Sequence, residues 1–126
     1  MEAYRVEGNA FKPEVTLDKE NGVFAFGGRA IPENAMETFE PILNWWSEYL
    51  QKPNEQTVID IKFDYINSSS MKQLAKLFVM LDAVNGKTSA VSLVWHHNND
   101  DTDSKTQAER LSKMVNFPIK IVADNK

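Results

Sequence analysis

The stretch VIDIKFDYINSSSMKQLAKLFVMLDAV, residues 58–84, changes its hydrophobic period part-way along, and that change decides the fold class. In its first part Ile59, Ile61, Phe63 and Tyr65 alternate with Asp60, Lys62 and Asp64, the two-residue period of a strand with one face on a core and the other partly wet. Beyond Asn67-Ser68-Ser69-Ser70 the apolar residues Met71, Leu74, Leu77, Phe78, Leu81 and Val84 recur every three or four positions, and Asn85-Gly86 supplies the left-handed stop of a helix. A strand that feeds a helix in this way points to an α/β protein.

Toward the N-terminus, Val15 and Leu17 alternate with Glu14, Thr16 and Asp18. Lys19-Glu20-Asn21-Gly22 then supplies a turn before the apolar run Val23 to Phe26. This predicts an antiparallel hairpin whose second strand ends at Gly27-Gly28. The next helix opens at Pro32-Glu33-Asn34, with Glu37 three residues after Asn34 as in a capping box. Met36, Phe39, Leu43, Trp46 and Leu50 form its inner stripe, widened by Ile42 and Tyr49. Pro41 cannot donate to residue 37, which predicts a kink or a separate first turn.

Toward the C-terminus, Val91, Leu93 and Trp95 read as a strand and His97 to Asp103 as a polar loop. A third helix is expected from Ser104, paired with Gln107 as a capping box, with Ala108, Leu111, Met114 and Val115 inside and Phe117-Pro118 ending it. Ile119 and Ile121 close the chain as a strand. The expected order is β-β-α-β-α-β-α-β, a mixed sheet with an N-terminal antiparallel hairpin, right-handed parallel crossovers and helices mainly on one face. Residues 1–126 show no repeat or linker and read as a single domain.

Composition narrows the function classes. Among 126 residues there is no cysteine, which excludes disulfides and thiolate metal sites and fits a reducing compartment, so the cytoplasm is the expected location. No signal-peptide pattern opens the chain, and no run of about 20 apolar residues is present for membrane insertion. The net charge of −4, with lysines scattered and no basic block, argues against a nucleic-acid partner.

Motifs for chemistry are sparse. His96 and His97 are adjacent and would face opposite sides of a strand, so they cannot share a metal. Asn98-Asn99-Asp100-Asp101-Thr102-Asp103 lacks the glycine and the terminal glutamate of a calcium loop, and reads as a solvated lead into a helix. Gly27-Gly28 belongs to no phosphate-binding motif, and no serine sits in a G-x-S-x-G elbow. Neither an enzyme nor a cofactor or metal site is expected. Of Trp45 and Trp46 only one can face a core squarely, which leaves Trp45 as a possible partner surface. The remaining constellation is Asn67-Ser68-Ser69-Ser70. A cap accounts for one of these residues; consecutive hydroxyls leave another free to meet a kinase at a helix N-terminus, with Lys72 near enough to screen a phosphate.

Several of these stretches occur together in one known family: Pro13-Glu14-Val15 with Asn21-Gly22, Gly28-Arg29 with Pro32-Glu33-Asn34-Ala35, Glu40-Pro41-Ile42-Leu43-Asn44-Trp45, Tyr65-Ile66-Asn67-Ser68-Ser69-Ser70, and Trp95 closing a strand. Over nearly its whole length the chain resembles the SiaC-type regulatory phosphoproteins, whose fold is similar to the STAS-type anti-anti-sigma factors. The resemblance implies a partner switch in cyclic-di-GMP and biofilm signalling. A dedicated kinase phosphorylates the hydroxyl residue after the motif's asparagine, a PP2C-like phosphatase removes the phosphate, and the unmodified form binds and activates a diguanylate cyclase. The acceptor position falls on Ser68, where the family often has threonine, with Asn67, Ser69 and Ser70 completing the motif and Lys72 and Trp45 as possible partner contacts. The segment from His96 to Ser104 departs from the family pattern. A small-ligand-binding STAS-like domain is the alternative, and it would require a sizeable pocket.

Overall fold

The alternation of residues 58–65 becomes the longest strand of a six-stranded sheet. The structure is a computed structural model and describes residues 1–124. The elements are β1 (Tyr4–Val6), β2 (Pro13–Asp18), β3 (Val23–Ala30), α1 (Ala35–Tyr49), β4 (Gln56–Ile66), α2 (Ser68–Val84), β5 (Ala90–Asn98), α3 (Thr102–Ser112) and β6 (Ile119–Asp124). Spatial order in the sheet equals sequence order, β1 to β6. The β1–β2 and β2–β3 pairs are antiparallel, and β3 to β6 run parallel through the three helices. The anticipated order holds, with one short edge strand, β1, added at the N-terminus.

All three helices cover one face. On β4, Thr57, Ile59, Ile61 and Phe63 are buried while Val58, Asp60, Lys62 and Asp64 are exposed. The buried side packs against Phe39, Ile42 and Trp46 of α1, Leu74, Leu77, Phe78 and Leu81 of α2, and Ala108 and Leu111 of α3 in one core. A chain of buried hydroxyls closes the end of this core where β4 and β5 begin. Tyr49 Oη lies 2.7 Å from Thr57 Oγ1, which lies 2.7 Å from Ser89 Oγ, and the Asn54 amide donates to Tyr49 Oη at 3.1 Å.

Several local expectations are corrected: Tyr65, read with the inward set of β4, is 58% exposed, and Met114, read inside the third helix, lies beyond its end at Ser112 and is 53% exposed. β3 does not end at Gly27-Gly28: pairing with β4 continues to Ala30 across a register shift between Gly28 and Arg29, and Gly28 takes φ +73°, where a side chain would be strained. α1 passes through Pro41 as one helix; the proline is exposed, so the Glu37 carbonyl it cannot bond lies on a side that water can reach. Met36 is 67% exposed, because it sits in the first helical turn on the side away from the sheet, and the buried stripe is Phe39, Ile42, Trp45, Trp46 and Tyr49. The cap of α3 is Asp101, whose carboxylate accepts the Ser104 amide at 3.0 Å; Ser104 is inside the helix, buried, its hydroxyl accepting from Trp95 Nε1 at 2.9 Å. Trp45 is only 8% exposed: it stacks on Tyr49 at 5.3 Å and donates Nε1 to the Glu2 carbonyl at 2.9 Å, so the N-terminal segment covers it and it offers no partner surface.

Candidate functional site

Because β3, β4 and β5 are parallel and each is followed by a helix, the N-termini of α1, α2 and α3 gather at one edge of the sheet. Each carries the free amides of a first helical turn. The second of them is built around Asn67. Its backbone is extended, with φ −88° and ψ 167°, and its amide donates to the Ala30 carbonyl at 2.9 Å, which fastens the start of α2 to the end of β3. Its side-chain Nδ2 donates to the Pro32 carbonyl at 3.3 Å, reaching the lead into α1. Its Oδ1 accepts the Ser70 amide at 2.9 Å and the Ser69 hydroxyl at 3.2 Å. Asn67 is thus the N-cap, and no serine is needed for that task.

The three serines differ in what surrounds them. Ser70 is fully buried, its Oγ without a hydrogen-bond partner. Ser69 is exposed but tied to Asn67. Ser68 is exposed, and among the described residues its hydroxyl makes no hydrogen bond. Lys72 is exposed one turn further along α2 and, with Ser69 and Gln73, lines a groove of about 700 Å³ whose other wall is Glu33, Asn34, Met36 and Glu37 of the α1 entry. A second open hollow of about 650 Å³ lies beyond Tyr65 and Ile66, toward Asn98, Asp100, Asp101 and Asp103. On its rim the Arg29 guanidinium sits 4.7 Å from the centre of the 58%-exposed Tyr65 ring, and Arg29 Nε donates to the Ala10 carbonyl at 2.8 Å. Asn67, Ser68, Ser69, Ser70 and Lys72 are therefore brought together, and Trp45 is not. The carbonyls of Ala30 and Pro32 and the Arg29–Tyr65 pair have no sequence signal: backbone acceptors carry no side-chain signature, and Arg29 reads only as the residue after a double glycine.

The histidines stand elsewhere. His97 is buried on the helix-covered face, its Nδ1 2.8 Å from the Asn98 carbonyl. On the open face, His96 Nε2 is 2.7 Å from Asp60 Oδ1 and its Nδ1 is 3.4 Å from Asp124 Oδ1, with Lys62 Nζ 3.4 Å from Asp124 Oδ2. Partial burial pushes the Asp124 carboxyl up, but the combined pull of His96 and Lys62 outweighs it and holds its pKa below the usual carboxylate value. Among the described residues, no three His, Asp or Glu side chains are placed to hold a metal ion.

The sequence profile of the SiaC family regulatory phosphoproteins matches residues 6–124. The chain belongs to this family. A SiaC structure from Pseudomonas aeruginosa superposes with a TM-score of 0.88 at 26% identity, over 98% of this chain and 100% of that one. The complex of the diguanylate cyclase SiaD with its activator SiaC, also from P. aeruginosa, gives a TM-score of 0.85 at 26% identity, over 96% of this chain and 99% of that one. An uncharacterised protein of P. aeruginosa strain UCBPP-PA14 is 25% identical across 126 residues, the full length of both. SiaC-family membership and the mixed α/β architecture agree with the reading of the motifs, and no helix among the described residues is long and apolar enough to cross a membrane.

Proposed function

We propose that this chain is a non-enzymatic, cytoplasmic partner switch in cyclic-di-GMP signalling. The unmodified form binds and activates a diguanylate cyclase, a cognate kinase phosphorylates Ser68 and releases the cyclase, and a PP2C-like phosphatase restores the active form. The observation that carries this reading is the state of Ser68: exposed at the start of α2, free of hydrogen bonds among the described residues, in a turn whose cap is supplied by Asn67. Family membership and the existence of a SiaD–SiaC complex support the choice of partner.

Phosphate adds about 1.5 to 2 negative charges and strong acceptor oxygens at this point. The first-turn amides of α2 favour an anion, so the fold has no need to rearrange. The partner meets the change instead. A cyclase packed over the start of α2 must desolvate the phosphate beside groups shaped for a neutral hydroxyl. A penalty of about 2–3 kcal/mol lowers affinity on the order of 30- to 150-fold, enough to dissociate a micromolar complex. The small-ligand alternative has no comparable support, since both hollows at this edge open to solvent between charged side chains.

The test is phosphorylation of the wild type by its cognate kinase, site mapping by mass spectrometry, and cyclase affinity before and after. Ser68→Ala is expected to keep binding and resist modification. Ser68→Asp is expected to weaken binding with a melting temperature close to wild type. Equal affinity of the two forms refutes the switch, as does phosphate found only outside Ser68.

A further inference from the structure

Three consecutive serines at one helix start present a kinase with three chemically equal hydroxyls, so something in the fold must choose among them. We propose that Asn67 is the specificity-determining residue: its side-chain oxygen holds the Ser69 hydroxyl and its backbone turn sends Ser70 into the core, leaving Ser68 as the one reactive acceptor. This inference rests on the partner-switching reading above and assigns a positioning role that the reading does not contain.

The chemistry makes the hydrogen bond matter. In phosphoryl transfer the serine oxygen attacks the γ-phosphorus of ATP, the bond to ADP breaks, and the hydroxyl proton passes to a base of the kinase. Ser69 donates that proton to Asn67 Oδ1 at 3.2 Å. A neutral carboxamide oxygen cannot take it, so the bond must break before Ser69 can present its proton to a kinase. Asn67 Oδ1 is not free to swing aside. The same oxygen accepts the Ser70 amide, Nδ2 is fastened to the Pro32 carbonyl, and the backbone amide is fastened to the Ala30 carbonyl. Ser70 is excluded by a different route. The bond between its amide and Asn67 sets the first turn of α2 with Ser70 facing inward, where it is fully buried. Ser68 lies between these two constraints and is subject to neither. One hydrogen bond of this kind is worth roughly three- to tenfold in the relative reactivity of Ser69.

Asn67→Gly removes the oxygen while keeping a residue that starts helices nearly as well, and Asn67→Asp keeps an acceptor oxygen in place. Wild type and both variants are phosphorylated with ATP and the cognate kinase, each also on a Ser68→Ala background, and the ratio of phosphate on Ser69 to Ser68 is read by mass spectrometry. Because a ratio is read, a general change in kinase rate drops out, and melting curves verify that each variant is folded. The expected result is a ratio raised roughly three- to tenfold in Asn67→Gly and near wild type in Asn67→Asp, with the same gain in Ser69 labelling when Ser68 is replaced. An unchanged ratio in a folded Asn67→Gly overturns the role of Asn67, as do equal increases in both variants, while leaving the Ser68 switch standing. A wild type that takes no phosphate on any of the three serines overturns the switch and this inference together.

Discussion

Tyr49→Phe deletes one oxygen from the hydroxyl chain that closes the core, and its cost follows from the hydrogen bonds which that oxygen makes. Tyr49 Oη accepts the Asn54 amide at 3.1 Å and shares a hydrogen bond with Thr57 Oγ1 at 2.7 Å. Thr57 keeps Ser89 as a partner at 2.7 Å, so its hydroxyl is not orphaned. Two bonds at a net worth of about 0.5–1.5 kcal/mol each give a destabilisation of about 1–3 kcal/mol, and a fall in melting temperature on the order of 5–10 °C. Thr57→Val is expected to cost more, because it strips the central link and leaves two buried hydroxyls, those of Tyr49 and Ser89, without their Thr57 partner. The double variant should then fall short of the sum by about 1 kcal/mol, since the Tyr49–Thr57 bond can be removed only once. Urea unfolding of the four proteins measures this directly. Additivity within about 0.3–0.5 kcal/mol would refute the claim that the hydroxyls act as one chain. The same variants separate stability from signalling. Thr57 is near the start of β4 and Ser68 follows its end, roughly 30 Å away along the strand. Ser68 phosphorylation of folded Tyr49→Phe should match wild type.

Acid sensitivity is expected at the β2–β3 hairpin. The Asp18 carboxylate accepts from the Asn21 side chain at 2.7 Å, from the Asn21 amide at 3.1 Å and from Arg5 at 2.6 Å, which together hold its pKa below the ordinary value. A lowered folded pKa means stability that is fully present above the unfolded pKa and lost as pH falls through the folded one. Asp18→Asn should therefore melt below wild type at pH 7, with the gap closing as pH falls below about 4; a gap that stays constant to pH 2 would contradict the assignment. Calcium or zinc at micromolar concentration should leave the melting temperature unchanged, because the loop from Asn98 to Asp103 has neither the turn glycine nor a convergent ligand set, and selective native-state binding would have to raise it.

Legibility in the sequence tracks the physical strength of each signal. β4 and α2 are readable because period two and period 3.6 are long and uninterrupted there, and Asn34 announces α1 because a cap needs that side-chain oxygen at that place; it accepts the Glu37 amide at 3.1 Å. The triple serine is readable as a candidate site, but its internal ranking is not. Whether a hydroxyl is buried, tied or free depends on carbonyls of Ala30 and Pro32 that only the β3–β4 pairing brings close. β1 escapes the sequence reading because three residues with one partly buried tyrosine make no pattern. The Gly27-Gly28 bulge reads as a strand end because glycine signals both events and only pairing tells them apart. Trp45 misleads for a related reason. Two adjacent helix positions are about 100° apart, yet Phe24 and Tyr49 pack beside both indoles, and the Glu2 backbone covers the side of Trp45 that would otherwise be wet.

A sheet whose spatial order repeats its sequence order can be laid down from one side only. Once the β1–β2–β3 meander exists, β4 adds to its edge, β5 to β4 and β6 to β5, and no strand has to be threaded between two that are already joined. Each new strand leaves the ribosome with its template complete, and the helix that precedes it arrives in time to cover the ground just laid. The partly built molecule is thus always a smaller version of the finished one with a single growing margin. Interrupted synthesis should yield truncated sheets rather than scrambled ones, and β6, the last of the described strands to arrive, forms the margin opposite β1.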